Sequence, residues 1–179
     1  SIVYGFLALI ALGAIALSSP WAQASGAWGD WSNAAFTACS AVCVTGLSVV
    51  DIAKEYSFSG QIVLMVLVEL GALGLMALGT FLLVAIGRRL SYASEFSLMN
   101  AYGSAEIRGV RGLIFWIVGS MLVVEGVGAG LLYYRFHDWY LSAFFSVMSF
   151  CNAGFSVYPD SLARFAADPF VLVVLALET

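Results

Sequence analysis

Charge is scarce in this sequence. Of its 179 residues, 10% are charged and 62% are hydrophobic, against about 25% and about 45–50% in ordinary soluble domains. So little charge cannot clothe so much apolar surface, which excludes a soluble globular enzyme and a disordered chain alike. Seven Lys and Arg stand against eleven Asp and Glu. The basic face that nucleic acid binding needs is missing. Histidine is nearly absent: His137, between Arg135 and Asp138 in a connecting segment, is the only one. The three cysteines, Cys39, Cys43 and Cys151, form no disulfide framework and no metal-ligand spacing. They read as thiols packed in apolar surroundings, with Cys39 and Cys43 four apart on one helix face. There is no G-x-S-x-G elbow and no phosphate-binding loop, so neither an enzyme nor a resident cofactor is expected. An integral membrane protein remains.

What the sequence has in quantity is long apolar runs. Ile2–Leu17 is uncharged; 61–87 carries one charge, Glu69; 112–134 carries one, Glu125; and a further run begins at Pro169. About 20 such residues cross a bilayer as a helix, and Pro169 suits a first helical turn. Period-two alternation is absent, which argues against strands. The first run, followed by Ala22-Gln23-Ala24, also fits a signal-peptide core with a small-residue cleavage site, although no basic segment precedes it. Arg88, Arg89, Arg108 and Arg111 lie between two runs, which makes that connection cytoplasmic. The remaining connections face outward. They hold Asp30, Asp51, Glu55, Asp138, Asp160 and Asp168 against Lys54, Arg135 and Arg164, a mildly acidic mouth that would concentrate cations.

The chain also matches itself at an offset of 108 residues. Asp30-Trp31 pairs with Asp138-Trp139, Ala35-Phe36 with Ala143-Phe144, Cys43 with Cys151, Gly46 with Gly154, and Ser48-Val49 with Ser156-Val157. Eight of the twenty positions from Asp30 to Val49 are identical, where chance gives about one or two. The repeating unit is an apolar span, a short segment and a second span.

The short segment has two readings. Trp31–Val50 is uncharged and long enough for one spanning helix. Against that, Thr37, Ser40, Thr45, Gly46 and Ser48 are polar for a lipid face. The second copy is interrupted by Cys151-Asn152-Ala153-Gly154, a poor helical stretch. The alternative is a half-length helix, Trp31–Ser40 or Trp139–Ser149, followed by an irregular strand, Val42–Leu47 or Phe150–Phe155. Irregular backbone at membrane depth is permitted only where protein shields it or it lines a polar cavity. A permeating cation is a fitting partner for its carbonyls, and the C-terminal end of the half-helix adds partial negative charge. Gly46 and Gly154 would let those carbonyls turn inward.

Ser40-Ala41-Val42-Cys43-Val44-Thr45-Gly46-Leu47-Ser48-Val49-Val50-Asp51 resembles the first pore loop of the Trk/Ktr/HKT potassium transporter superfamily. Phe150-Cys151-Asn152-Ala153-Gly154-Phe155 resembles the second. Leu70–Met76 and Glu125–Ala129 are similar to stretches of the accompanying helices. The resemblance covers essentially the whole chain. It implies an all-α integral membrane fold of tandem membrane-pore-membrane repeats with re-entrant half-helix pore loops, as in potassium channels. The first repeat is 1–90 (helix 1–19, pore helix and filter 28–50, helix 60–90), then a cytoplasmic linker 91–106. The second, incomplete, is 107–179 (helix 107–135, pore helix and filter 139–155, start of a helix 169–179). Gly46 and Gly154 would be two of four filter glycines. The filter would comprise Val44, Thr45, Gly46, Leu47, Asn152, Ala153, Gly154 and Phe155, with potassium at the backbone carbonyls of Thr45, Gly46, Ala153 and Gly154. Glycine at the first filter position implies potassium rather than sodium preference. The implied function is potassium uptake across the plasma (inner) membrane by a multi-pass protein. The implied partners are the lipid bilayer, a second copy in a homodimer, and a cytoplasmic nucleotide-binding regulatory subunit. A filter ring takes four strands and this sequence carries two, so the expectation is a fragment of a longer protein. The competing function is a non-transporting scaffold or intramembrane enzyme with ordinary spans.

Glu69 and Glu125 each interrupt an apolar helix, at a cost on the order of 3 kcal/mol near the bilayer centre. Two roles are open for them: bonding within the protein interior, or lying near the ion path. Glu178 cannot be assigned. Gly71, Gly74, Gly79, Gly126, Gly128 and Gly130 read as helix-packing positions. Trp28, Trp31 and Trp139 read as interface anchors.

Overall fold

The computed structural model describes residues 2–85, 107–158 and 161–179. The expected linker 91–106, with Arg88, Arg89 and Asp160, lies outside the described residues. All regular structure among the described residues is helical. Seven α-helices run in the order α1 Ile2–Ser18, α2 Trp31–Val42, α3 Ile52–Glu55, α4 Phe58–Ala85, α5 Ile107–Phe136, α6 Trp139–Phe150 and α7 Pro169–Glu178, with a 3-10 turn at Ala163–Phe165. Helices α4 and α5 have 28 and 30 residues. At 1.5 Å per residue they reach about 42 and 45 Å, and Phe58–Leu75 and Phe115–Phe136 are long and apolar enough to cross a membrane. Helices α2 and α6 have 12 residues each, about 18 Å, which is too short for a bilayer's hydrocarbon. Trp31–Val50 is therefore not one helix.

The two units have the same plan. In the first, α1, α2 and α4 pack on one another; in the second, α5, α6 and α7 do so. Apolar burial holds each group, with Ala14, Leu17, Ala34, Ala38, Leu64 and Val68 in the first and Leu132, Phe144, Val171 and Val174 in the second. Helix α4 also packs against α6 and so joins the units. At that junction Tyr140 Oη donates to Gln61 Oε1, and the Tyr140 ring lies 4.8 Å from that of Phe58.

The connection after α1 is tied to the start of α4 by backbone and side-chain bonds. Ala24 N donates to Glu55 O (2.9 Å) and Ser57 N to Ala22 O (2.9 Å). Gln23 Nε2 donates to Leu17 O (2.7 Å) and Ser57 Oγ to Trp21 O (2.8 Å). These bonds fix where α2 begins. In the second unit, Arg135 at the end of α5 is paired with Asp168, the N-cap of α7. Its guanidinium holds the Asp168 carboxyl below the usual carboxylate range. Trp28, Trp31 and Trp139 are all exposed, near these same ends.

Candidate ion-filter site

Both half-helices start the same way. The side chain of Asp30 accepts from Ser32 N, and that of Asp138 accepts from Tyr140 N and Leu141 N. An N-cap of this kind stabilises a helix by about 1 kcal/mol. Both also stop the same way. Cys43 and Cys151 are the C-caps, and the next residues, Val44 and Asn152, take left-handed φ values of 54° and 56°. Thr45 N donates back to Ser40 O (2.9 Å) and Val44 N to Ala41 O (3.0 Å). Ala153 N likewise donates to Met148 O (2.8 Å), and Asn152 N to Ser149 O (2.9 Å). This is a Schellman motif, formed twice 108 residues apart. The helices reach Val42 and Phe150, two residues and one residue beyond the ends expected from sequence, because the left-handed residue sets the stop. Asparagine tolerates that conformation; a β-branched valine in it is strained.

After each cap the chain is irregular over 45–48 and 153–156. The two stretches meet at their glycines. Gly46 has φ 68°, and a Cβ built on it would overlap the Gly154 nitrogen and lie 2.5 Å from the Gly154 Cα. Gly154 is less constrained: a Cβ there would meet Gly46 Cα and O at 3.6 Å, ordinary van der Waals contact. Among the described residues no backbone N–H donates to the carbonyls of Thr45, Gly46, Ala153 or Gly154. Each stretch also lies next to the C-terminal end of its half-helix, where the helix dipole places partial negative charge.

The other residues expected at the site are distributed unevenly. Val44 is half-buried, and Leu47 is exposed at 64%, while Ala153 and Phe155 are buried and Asn152 is exposed. Thr45 is pinned by a 2.9 Å bond between its hydroxyl and that of Ser40. Glu69 is half-buried on α4; Glu125 and Glu178 are buried on α5 and α7. Glu125 is within electrostatic reach of Glu69 and Glu178, and Glu178 Oε1 is bonded to Ser146 Oγ. His137 is exposed. No group of three or more His, Cys, Asp or Glu among the described residues is placed to hold a metal ion.

The model of a cation transport family, TrkH, matches residues 5–178. The chain belongs to the TrkH cation transport family. It is 36% identical to Ktr system potassium uptake protein B of Vibrio alginolyticus over 182 residues, covering 98% of this chain and 40% of that protein. It is 33% identical to the potassium/sodium uptake protein NtpJ of Enterococcus hirae, with the same coverage. With Ktr system potassium uptake protein B of Bacillus subtilis the identity is 32%, over 96% of this chain and 40% of that protein. This TrkH-family chain thus spans about two fifths of the length of the curated relatives it matches. Membership and the two long apolar helices together make it an all-helical membrane protein.

Proposed function

We propose that this chain supplies two of the four walls of a potassium pathway. The whole protein would then take up potassium across the plasma membrane as a multi-pass transporter. Each unit is a membrane helix, a re-entrant half-helix with its filter strand, and a second membrane helix. The carbonyls of Thr45, Gly46, Ala153 and Gly154 replace the ion's water shell, and Val44, Leu47, Asn152 and Phe155 flank them. One observation carries this reading: two Schellman-capped half-helices deliver paired glycine strands whose carbonyls accept no backbone N–H among the described residues. Irregular backbone of this kind at membrane depth needs a partner, and a dehydrated cation is one. The potassium uptake names of the relatives support the choice of ion.

The packing supports a ring. Helix α4 of the first unit packs on α6 of the second, a head-to-tail contact that closes when enough units follow. On α6 the stripe Tyr140, Phe144, Val147 and Cys151 is buried or half-buried. The matching stripe on α2, with Phe36, Cys39 and Cys43, is exposed. The closing helix of the last unit in the full-length protein would cover it. A homodimer of such subunits, resting on a cytoplasmic nucleotide-binding subunit near the basic segment 88–111, belongs to the same reading.

The test is potassium uptake by potassium-starved cells expressing the full-length protein. Uptake that saturates with potassium and prefers it to sodium is expected. Equal uptake with and without the protein, at confirmed membrane expression, would overturn the proposal.

A further inference from the structure

The two units differ systematically at one seam, between the half-helix and the helix that closes the unit. At the 108-residue offset Ala38 aligns with Ser146, Ala41 with Ser149 and Val44 with Asn152. Every position is apolar in the first unit and hydrogen-bonding in the second. The first seam is dry and close-packed. Ala38 and Ala41 are wholly buried, and Gly71 lets the end of α2 sit directly on α4. A Cβ at Gly71 would lie 2.8 Å from the carbonyl carbon of Val42 and 2.9 Å from its Cα.

The second seam is polar. Ser149 Oγ donates to Leu175 O on α7 at 2.7 Å. Ser146 Oγ lies 2.8 Å from Glu125 O on α5 and is bonded to Glu178 Oε1 on α7. Asn152 Nδ2 reaches Thr179 O at 3.5 Å. A serine hydroxyl has one proton, so Ser146 can donate to only one of its two acceptors at a time. The strand hangs directly from this helix, through the bond from Ala153 N to Met148 O. It also has room beside it: a cavity of about 170 Å³ is lined by Ser149, Ala153, Gly154, Phe155, Leu162 and Leu175.

We propose that Ser146, Ser149 and Glu178 are positioning residues for the second filter strand, setting where the Ala153 and Gly154 carbonyls stand and thereby the discrimination between alkali cations. The first half-helix is held on its closing helix by close contact and the second by exchangeable hydrogen bonds. This rests on the filter reading above.

The experiment uses the full-length protein in potassium-starved cells. Alanine at both serines reproduces the residues of the first unit, so α6 retains its helix. Ser146→Ala/Ser149→Ala should raise the KM for potassium and lower potassium-over-sodium discrimination about fivefold to tenfold, the scale of one lost buried hydrogen bond. Maximal uptake should fall by no more than about twofold. Glu178→Leu should act in the same direction, and Glu178→Gln, which keeps an acceptor for Ser146, should restore near-wild-type discrimination. Unchanged KM and discrimination in the double variant, at wild-type membrane amounts, would overturn the proposal. If the double variant does not accumulate, Ser149→Ala alone decides by the same measure. A Gly46→Ala variant run in parallel separates the two levels. If it too leaves uptake intact, the filter reading fails; if it abolishes uptake while the serine variants do nothing, only the positioning role fails.

Discussion

Gly46 and Gly154, the two glycines of the proposed filter, stand at matching positions, yet they should not respond equally to substitution. Gly46 sits at φ 68°, where any L side chain costs about 1–2 kcal/mol. A Cβ there would also overlap the Gly154 nitrogen and stand 3.0 Å from its carbonyl carbon. Neither atom is the end of a flexible side chain, so one backbone must move. The combined penalty for Gly46→Ala is then at least about 2 kcal/mol, more than tenfold in any equilibrium that depends on the native filter. Gly154 has neither a positive φ nor a close obstacle, since the nearest Gly46 atoms would be 3.6 Å from its Cβ. Gly154→Ala should cost less than about 0.5 kcal/mol, the usual range for a substitution without steric conflict. The assay is potassium uptake against external potassium and sodium, with membrane amounts measured in parallel. Gly46→Ala should raise the KM or abolish uptake by more than tenfold; Gly154→Ala should stay within about threefold of wild type. Equal losses in the two variants, or a larger loss at Gly154, would refute the reasoning.

Three further outcomes are expected. Val44→Asn places the residue of the second unit at the strained first-unit cap, and relief of the 54° φ should raise the thermal midpoint in detergent, by about 1 kcal/mol in stability. The Arg135 guanidinium depresses the Asp168 carboxyl. Stability from that pair is therefore present above the ordinary carboxylate pKa and is lost progressively as pH falls from about 4 through the lowered native value, so the thermal midpoint should respond less to Asp168→Asn as pH falls below about 4 than it does at pH 7. In the full-length protein Cys39 and Cys43 should resist membrane-permeant thiol reagents, and become reactive when the protein is cut to residues 1–179; rapid labelling in the intact protein would argue against the ring.

Much of the architecture can be read from the residues. The half-helix starts at Trp31 and Trp139 are where the sequence places them, and the structure adds their cause, the capping side chains of Asp30 and Asp138. The helix stops are harder to read. Sequence reasoning places backbone freedom at Gly46 and Gly154; Gly46 does take a positive φ, while the helix stop itself falls two residues earlier in each unit, at Val44 and Asn152. A β-branched residue is the last type that local preference assigns to a left-handed cap. Val44 takes it next to the close contact of Val42 with Gly71, a tertiary fit that no local preference reports. The unequal demands on the two glycines are invisible for the same reason, since they depend on how one strand approaches the other.

The seam shows where the repeat itself carries information beyond its identities. Eight matches reveal the duplication; the three coordinated mismatches show what the duplication does not share. Single exchanges of Ala for Ser on a helix are common and carry no message, because a serine can bond back to its own turn, as Ser142 does to Asp138 O at 2.6 Å. Ser146 and Ser149 instead bond to other helices, and they do so where α7 brings Glu178, Leu175 and Thr179 against them. A buried glutamate in an apolar helix costs several kcal/mol unless something receives it, and Ser146 exists in only one of the two units to receive it. The asymmetry is therefore a matched set, and under the proposed function a pathway walled by units that are alike in backbone but unlike in how they are held would differ in compliance from one wall to the next.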